Sequence, residues 1–221
     1  MPLVEVSVLI PAAGQGERLG LGPKAFLEVG GRTLLEWVLE AFQEAAEVLV
    51  ALPPGFPPPK GLRATFLPGG ATRQESVARL LEAASLPLVL VHDVARPFVS
   101  RALVDRVLKA ARATGAAVPV LPVPDTLVRP EEGAYGEVVP REALRLVQTP
   151  QGFFTALLRE AHAYAKKRGL SATDDAQLVR ALGYPVALVE GERTAFKITY
   201  PEDLPLAEAL ARTWNAWHRE R

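Results

Sequence analysis

The chain has 221 residues, 49% of them hydrophobic and 23% charged, which is typical of a folded globular protein and not of a disordered one. Its 25 basic residues equal its 25 acidic residues, which disfavours a nucleic-acid binder that relies on a basic face. Cysteine is absent, and the three histidines lack metal-ligand spacing, so we expect neither a thiolate nor a histidine-based metal site. Without a long apolar run or a basic N-terminal segment, we expect a cytoplasmic protein that does not enter a membrane.

The first half of the chain alternates β-rich runs with amphipathic segments. Strands are predicted at residues 4–10, 47–52, 64–67, 86–92 and 116–121. Apolar residues at helical spacing predict helices through 34–42, 77–84 and 103–111, and Ser100 is placed to cap the third. Alternating strands and helices predict an α/β fold, here a Rossmann-like, mostly parallel sheet flanked by helices in one domain over residues 1–221.

Residues 122–150 interrupt this alternation. Two short β-like runs, at 125–128 and 144–148, flank the turn-rich Glu131-Glu132-Gly133, and we interpret the segment as a protruding β-arm. An isolated hairpin is marginal in water because it buries little apolar surface. We therefore expect the arm to pack against a twofold-related copy of the chain in a homodimer.

The α/β pattern resumes after the arm. A helix is predicted near residues 154–167, and strands at 186–189 and 195–199. A last helix is predicted from Pro201, because proline is favoured at the first helical position. Its apolar stripe consists of Leu206, Ala207, Leu210, Ala211, Trp214 and Trp217.

The loop after the first predicted strand carries the strongest local signal for a ligand. Its small residues, which allow backbone N–H groups to approach an anion, are Pro11, Ala12, Ala13, Gly14 and Gly16. Arg18 and Lys24 add two cations, and together these groups suit a triphosphate at the carboxyl end of a strand. The loop is not a P-loop, and Leu19 stands where a dinucleotide fingerprint needs its third glycine. A glycine turn with solvated charges remains the alternative.

Motifs in the rest of the chain indicate which protein family this loop resembles. The pattern Gly14-x-Gly16-x-Arg18 followed by Pro23-Lys24 resembles the nucleotidyltransferase superfamily. Further motifs follow in order: HDVARP at 92–97, PDT at 124–126, QTPQGF at 148–153, TDD at 173–175 and KITYPEDL at 197–204. Together, over about residues 5 to 210, they resemble the 2-C-methyl-D-erythritol 4-phosphate cytidylyltransferases of the non-mevalonate isoprenoid pathway. Departures at Ala25, Ala71 and Pro124 remove no charge that this reaction needs.

The resemblance implies that a phosphate oxygen of the polyol attacks the α-phosphorus of CTP and releases pyrophosphate, with Mg²⁺ as cofactor. It implies catalytic roles for four cations: Arg18, Lys24, Arg141 and Lys197. The nucleotide would be bound by the small loop residues Pro11, Ala12, Ala13, Gly14 and Gly16 together with Gly70 and Ser76. The polyol phosphate would be bound by Asp93, Arg96, Thr126, Thr149 and Thr173, with Asp93 also a candidate Mg²⁺ contact. Thr126 and Arg141 would reach the site of the neighbouring subunit.

Several alternatives stay open from the residues alone. Lys197 can be a structural salt bridge, Asp93 a loop cap and Arg141 a surface charge paired with Glu142. Ser76 can be an ordinary early-helix serine, Arg96 can pair with Asp93, and His92 is expected to be a core residue. For the whole chain, the rivals are a cytidylyltransferase for another polyol phosphate such as ribitol 5-phosphate, a Rossmann oxidoreductase, and a non-catalytic nucleotide-binding module.

Overall fold

The structure is a computed structural model that describes residues 3–16 and 20–219, except for the side chains of residues 215 and 217–219. Its strands are β1 Val6–Pro11, β2 Glu28–Val29, β3 Arg32–Thr33, β4 Glu47–Leu52, β5 Thr65–Pro68, β6 Leu88–Val91, β7 Ala116–Pro122, β8 Leu127–Glu131, β9 Ala134–Val139, β10 Arg145–Val147, β11 Gln151–Phe154 and β12 Ala187–Glu190. Its α-helices are α1 Leu34–Ala41, α2 Arg73–Ala83, α3 Arg101–Thr114, α4 Thr155–Arg168, α5 Asp175–Ala181 and α6 Asp203–Arg219.

Eight of these strands form one mixed sheet that is mostly parallel. Strands β5, β4, β1 and β6 run parallel in that order, and Val8 of β1 lies between Val48 of β4 and Leu90 of β6. Strand β11 is inserted antiparallel between β6 and β7, and β12 pairs parallel with β7. The predicted α/β fold with a mostly parallel sheet is thus confirmed, and β1 and β6 end at the same edge of the sheet.

Helices cover both faces of this sheet. Val8 and Ile10 of β1 contribute to the core beneath α1, α3 and α6, whereas Leu9 contributes to the core beneath α2, α4 and α5. Because both faces are covered, Val8, Leu9 and Ile10 follow one another as buried apolar residues, and the strand has only one polar residue, Ser7, and no regular alternation. Ser100 caps α3 as predicted, its hydroxyl accepting a hydrogen bond from the Leu103 N–H at 2.9 Å.

The arm is smaller than predicted. Strands β8 and β9 form a hairpin of their own, turning at Glu132 and Gly133, both at positive φ. The β-like run at 144–148 does not belong to it, because β10 pairs antiparallel with the end of β7, where Leu146 lies opposite Leu121. That end of β7 extends past β11, so β10 supplies partners that its backbone groups would otherwise lack.

Two predictions for the last part of the chain are wrong. The strand predicted at 195–199 is absent: the segment crosses the carboxyl end of the sheet, and its Ile198 N–H bonds to the Ala95 carbonyl at 2.9 Å. The last helix begins at Asp203, two residues after the predicted start at Pro201. The Asp203 carboxylate accepts the N–H groups of Thr199 and Tyr200, which precede the helix, and so fixes the chain where it enters the helix.

The predicted stripe of α6 is only partly buried. Ala207, Ala211 and Trp214 are buried, but Leu206 is exposed. The side chains of Trp217 and His218 lie outside the described residues. Strands β2, β3, β9 and β11 and helix α5 were not predicted. Among the helices that the structure describes, none has the length and apolar character needed to cross a membrane.

Candidate active site

Two adjoining cavities open at the carboxyl ends of β1 and β6. The first has a volume of about 750 Å³ and the second about 320 Å³. Both are lined by Arg73, Asp93 and Lys197, so these three side chains form a common wall. A larger and a smaller compartment that share a charged wall can hold two reactants side by side.

The glycine-rich loop forms one side of the first cavity. Four of its predicted residues line the cavity, namely Pro11, Ala13, Gly14 and Gly16, and so does Lys24. Gly16 has φ +69°, and a Cβ there would collide with the Gly22 carbonyl oxygen, so this position requires glycine. Ala12 is buried behind the loop, and its N–H donates to the Ala51 carbonyl. Arg18 lies outside the described residues.

The segment that leads into α2 forms the opposite side. Ser76, although buried, lines the cavity, accepts a hydrogen bond from the Gly70 N–H at 3.1 Å and donates to the Thr72 carbonyl at 3.0 Å. A Cβ on Gly69 would collide with Ala13, so the two loops approach each other closely. Ser76 therefore shapes the wall, as an early-helix serine that also faces the cavity.

Asp93 is held between two cations in the common wall. Its Oδ1 lies 3.0 Å from Arg73 Nε, and its Oδ2 lies 2.8 Å from Lys197 Nζ. Burial alone would raise the pKa of this carboxyl, but Arg73 and Lys197 hold it well below its usual range. Asp93 is thus a carboxylate at neutral pH, and the salt bridge considered for Lys197 is present.

Arg73 was missed by the sequence reasoning. It is the first residue of α2, and besides Asp93 it binds Asp175, whose Oδ2 lies 2.8 Å from Arg73 Nη1. Asp175 is almost fully buried and also contacts His162 Nε2 at 2.9 Å. A cation opposes the helix dipole at a helix N-terminus. Thr72 caps this helix, and an arginine directly after a threonine that can cap a helix is a sequence signal that an acidic partner lies nearby.

The second cavity brings together Arg96, Thr149 and Thr173, three of the predicted substrate contacts. Arg96 does not form the hydrogen-bonded pair with Asp93 that was considered, because it donates to the carbonyls of Ala195 at 2.8 Å and Val147 at 3.4 Å. Its buried Nε has no hydrogen-bond partner among the described residues. This side chain is therefore fixed in place beside the second cavity, with one buried donor of its guanidinium unsatisfied.

His92 is a core residue, as predicted, and it borders the site without lining either cavity. Its ring is fully buried, with Nε2 2.9 Å from the Arg96 carbonyl oxygen and Nδ1 2.9 Å from Thr149 Oγ1. Burial lowers the pKa of His92 to about 4. The imidazole is therefore neutral at physiological pH.

Two predicted residues lie away from both cavities. Thr126 precedes β8, and Arg141 follows β9, where its guanidinium donates to the Pro124 carbonyl. Neither residue lines the first or the second cavity of its own chain. Both stand at the base of the arm, outside the two cavities of their own chain.

The donor set for a cation is small. Among the described residues there is no group of three or more acidic or histidine side chains arranged to hold a metal ion. Asp93 is the one carboxylate among the described residues that line the first cavity. One carboxylate fits Mg²⁺ that is bound chiefly by triphosphate oxygens and water, since Mg²⁺ takes few protein ligands in such sites.

Comparisons with known proteins agree with this geometry. The family model for IspD, 2-C-methyl-D-erythritol 4-phosphate cytidylyltransferase, matches residues 6–213. An enzyme of that name from Thermus thermophilus is 82% identical over 213 residues, covering 96% of this chain and 100% of the relative. The one from Deinococcus radiodurans is 55% identical over 205 residues, covering 92% and 88%.

Solved structures show the same likeness. The crystal structure of a Thermus thermophilus 2-C-methyl-D-erythritol 4-phosphate cytidylyltransferase superposes with a TM-score of 0.90 at 80% identity, covering 95% of this chain and 100% of that one. A crystal structure of a 4-diphosphocytidyl-2C-methyl-D-erythritol synthase superposes with a TM-score of 0.80 at 29% identity, covering 94% and 98%. The chain therefore belongs to the 2-C-methyl-D-erythritol 4-phosphate cytidylyltransferase family.

Proposed function

We propose that the chain joins CTP and 2-C-methyl-D-erythritol 4-phosphate to give 4-diphosphocytidyl-2-C-methyl-D-erythritol and pyrophosphate, a step in isoprenoid precursor biosynthesis. The observation that carries this proposal is the charged wall shared by the two cavities. The nucleotide fits the larger cavity and the polyol phosphate the smaller one, so the α-phosphorus and the attacking phosphate meet at Arg73, Asp93 and Lys197. Family membership supports the identity of both substrates.

The chemistry asks for positioning and charge stabilisation. A phosphate oxygen of the polyol forms the new bond to the α-phosphorus, and the bond to the bridging oxygen breaks as pyrophosphate leaves. The attacking oxygen is already an anion, so no general base is needed. Lys24 and Arg18 would hold the triphosphate and stabilise the charge on the α-phosphoryl oxygens, and Lys197 would position the incoming phosphate.

Mg²⁺ is part of the proposal. Asp93 would supply the protein's ligand, because its carboxylate lines the first cavity beside the place assigned to the triphosphate. The ion would neutralise charge on the phosphate oxygens when bound. Arg73 and Lys197 keep this carboxylate ionised and fixed in the free protein.

Base selection would come from the approach of the two loops. Ala13, Gly14 and Gly70 line the first cavity with backbone and small side chains, and Ser76 fixes the Gly70 segment. Such walls can offer N–H and C=O groups to the edge of a cytosine while leaving too little width for a purine. We therefore propose that CTP is preferred over ATP and GTP.

We also propose that the protein is a homodimer built through the arm. The hairpin and the neighbouring β10 expose apolar side chains: Tyr135 (74% exposed), Val138 (50%), Leu144, Leu146 and Val147. A twofold partner would cover these groups on both subunits at once. Thr126 and Arg141 at the base of the arm would then complete the acceptor site of the other subunit.

An acceptor panel with CTP, read out as pyrophosphate release, tests the reaction. We expect turnover with 2-C-methyl-D-erythritol 4-phosphate to exceed that with ribitol 5-phosphate. Faster turnover of ribitol 5-phosphate would establish the rival cytidylyltransferase, and nucleotide binding without pyrophosphate release from any acceptor would establish a binding module. Because the reaction consumes a nucleoside triphosphate, we propose a cytoplasmic location, which cell fractionation would test.

Subunit mixing tests the shared site. In a heterodimer of an Arg141→Ala chain and a Lys24→Ala chain, one site carries both defects and the other carries neither. Random exchange should therefore restore about a quarter of the wild-type activity. Arg129→Ala, which removes an exposed cation of the same arm, is the matched control and should have wild-type activity without mixing. A fully active monomer, or no recovery after verified exchange, would refute the shared site.

A further inference from the structure

His92 and Thr149 form a buried hydrogen-bonded connection behind the second cavity. His92 lies directly after β6, and Thr149 lies between β10 and β11. Thr149 Oγ1 is 2.9 Å from His92 Nδ1, and the Asp93 N–H donates to the same oxygen at 3.1 Å. The pair thus joins the loop that carries Asp93 and Arg96 to the segment on the other side of the cavity.

The direction of each hydrogen bond follows from the partners. The Arg96 carbonyl can only accept, so His92 Nε2 must carry the proton of the neutral ring. His92 Nδ1 is then unprotonated and accepts the hydroxyl proton of Thr149. The ring is shielded from water and packs edge-on against Phe42, with 5.2 Å between the ring centroids.

This arrangement limits what Thr149 can offer to a ligand. A hydroxyl has one proton and two lone pairs. The proton is given to His92, and one lone pair accepts from the Asp93 N–H. Thr149 is buried but lines the second cavity, and its second lone pair has no partner among the hydrogen bonds of the described residues. The side chain can therefore accept a hydrogen bond from a ligand but has no proton to give to one.

We propose that His92 is a positioning residue that sets the direction of the Thr149 hydroxyl, so that Thr149 accepts a hydrogen bond from a hydroxyl group of the acceptor polyol. A phosphate dianion has no proton to donate, so Thr149 marks the polyol end of the second cavity. The phosphate end is the charged wall of Arg73 and Lys197. This inference rests on the proposed function for the identity of the acceptor.

Nitrogen NMR of the wild-type protein labelled at histidine tests the hydrogen-bond directions without any variant. The chain has three histidines, and substituting His162 and His218 in two separate variants identifies their signals and leaves that of His92 by elimination. We expect His92 at neutral pH to show an unprotonated Nδ1 and a protonated Nε2. The reverse tautomer, or a charged ring, would overturn the proposal, because Thr149 would then be free to donate to the ligand.

Kinetics test the role in acceptor binding. Thr149→Val removes the hydroxyl at nearly constant shape and should raise the KM for 2-C-methyl-D-erythritol 4-phosphate by about tenfold, the usual loss for one hydrogen bond, with the KM for CTP within about twofold. Thr149→Ser keeps the hydroxyl and should restore most of the affinity. A serine variant as impaired as the valine variant, or an equal rise in the KM for CTP, would show a merely structural role.

A double-mutant cycle tests whether His92 acts through Thr149. His92→Gln keeps an N–H donor toward the Arg96 carbonyl but loses the acceptor at Nδ1. The double variant His92→Gln with Thr149→Val should raise the acceptor KM no more than the larger single effect. Effects that multiply would overturn the coupling. If His92→Gln does not fold, His92→Asn takes its place in the cycle. The amide oxygen of that asparagine can replace Nδ1 as the acceptor. His92→Asn alone should therefore raise the acceptor KM less than Thr149→Val does.

The two kinds of failure are distinguishable. Absence of turnover by the wild-type protein with 2-C-methyl-D-erythritol 4-phosphate would refute the proposed function. The tautomer of His92 is measured in the free protein and does not depend on that result. A correct tautomer together with an unchanged acceptor KM in Thr149→Val would refute the inference while leaving the proposed function in place.

Discussion

The contact between Arg73 and Asp175 should be the most costly single ion pair to break in the described part of the chain. Asp175→Asn keeps the shape of the side chain and removes its charge. The carboxylate is 1% exposed, and Arg73, 25% exposed, lies 2.8 Å away. Breaking a buried ion pair from one side costs about 3 to 5 kcal/mol. Arg73 would still have its ion pair with Asp93 and some contact with solvent. We therefore expect a loss at the lower end of this range, about 3 kcal/mol of unfolding free energy.

Denaturant unfolding at pH 7 and a fixed protein concentration measures this loss. Glu5→Gln is the matched control, since it removes a carboxylate from the half-exposed pair with Arg112 and should cost less than about 1 kcal/mol. Burial alone would raise the pKa of Asp175, but His162 and Arg73 lower it below its usual range. Its contribution is therefore present above the ordinary pKa of an aspartate and is lost as the pH falls through the lowered value. A loss at pH 7 no larger than that of Glu5→Gln would refute the reasoning.

Three further outcomes are expected. Lys24→Ala and Arg18→Ala should each lower kcat by about a hundredfold, or roughly 3 kcal/mol, because their charges act on the transition state, and near-normal kcat in both would contradict their assignment. In competition assays, kcat/KM for CTP should exceed that for ATP and GTP. Equal values would show that the two loops do not exclude purine bases. Stability should fall as the pH drops from about 6.5 to 4, because the unfolded chain binds a proton at His92 that the folded protein excludes. Over this pH range the unfolding free energy should change by about 3 kcal/mol. If the unfolding free energy of His92→Gln falls with pH as steeply as that of the wild-type protein, His92 is excluded as the source.

Much of the architecture could be predicted from local pattern. The strands predicted at 47–52 and 116–121 and the cap at Ser100 agree with β4, β7 and α3 to within one residue. These elements have strong signals because a strand buried on both faces must be apolar throughout and a helix must satisfy its first N–H groups. The loop at residues 11–16 and Lys24 was assigned to the site because small residues and a cation follow a predicted strand, and both line the first cavity.

Tertiary structure decided which charges meet. Arg73, Asp93 and Asp175 are distant along the chain, and no local pattern shows that one guanidinium joins both carboxylates. The same holds for β10, whose apolar run predicts a strand but not whether it pairs with the arm or with the end of β7. Sequence by itself determined the fold class, the ligand loop and the family resemblance, because these depend on local periodicity and motif order. Only the folded chain decided the pairing of the buried charges and the direction of the His92 and Thr149 hydrogen bonds, because both depend on which groups are left together away from water.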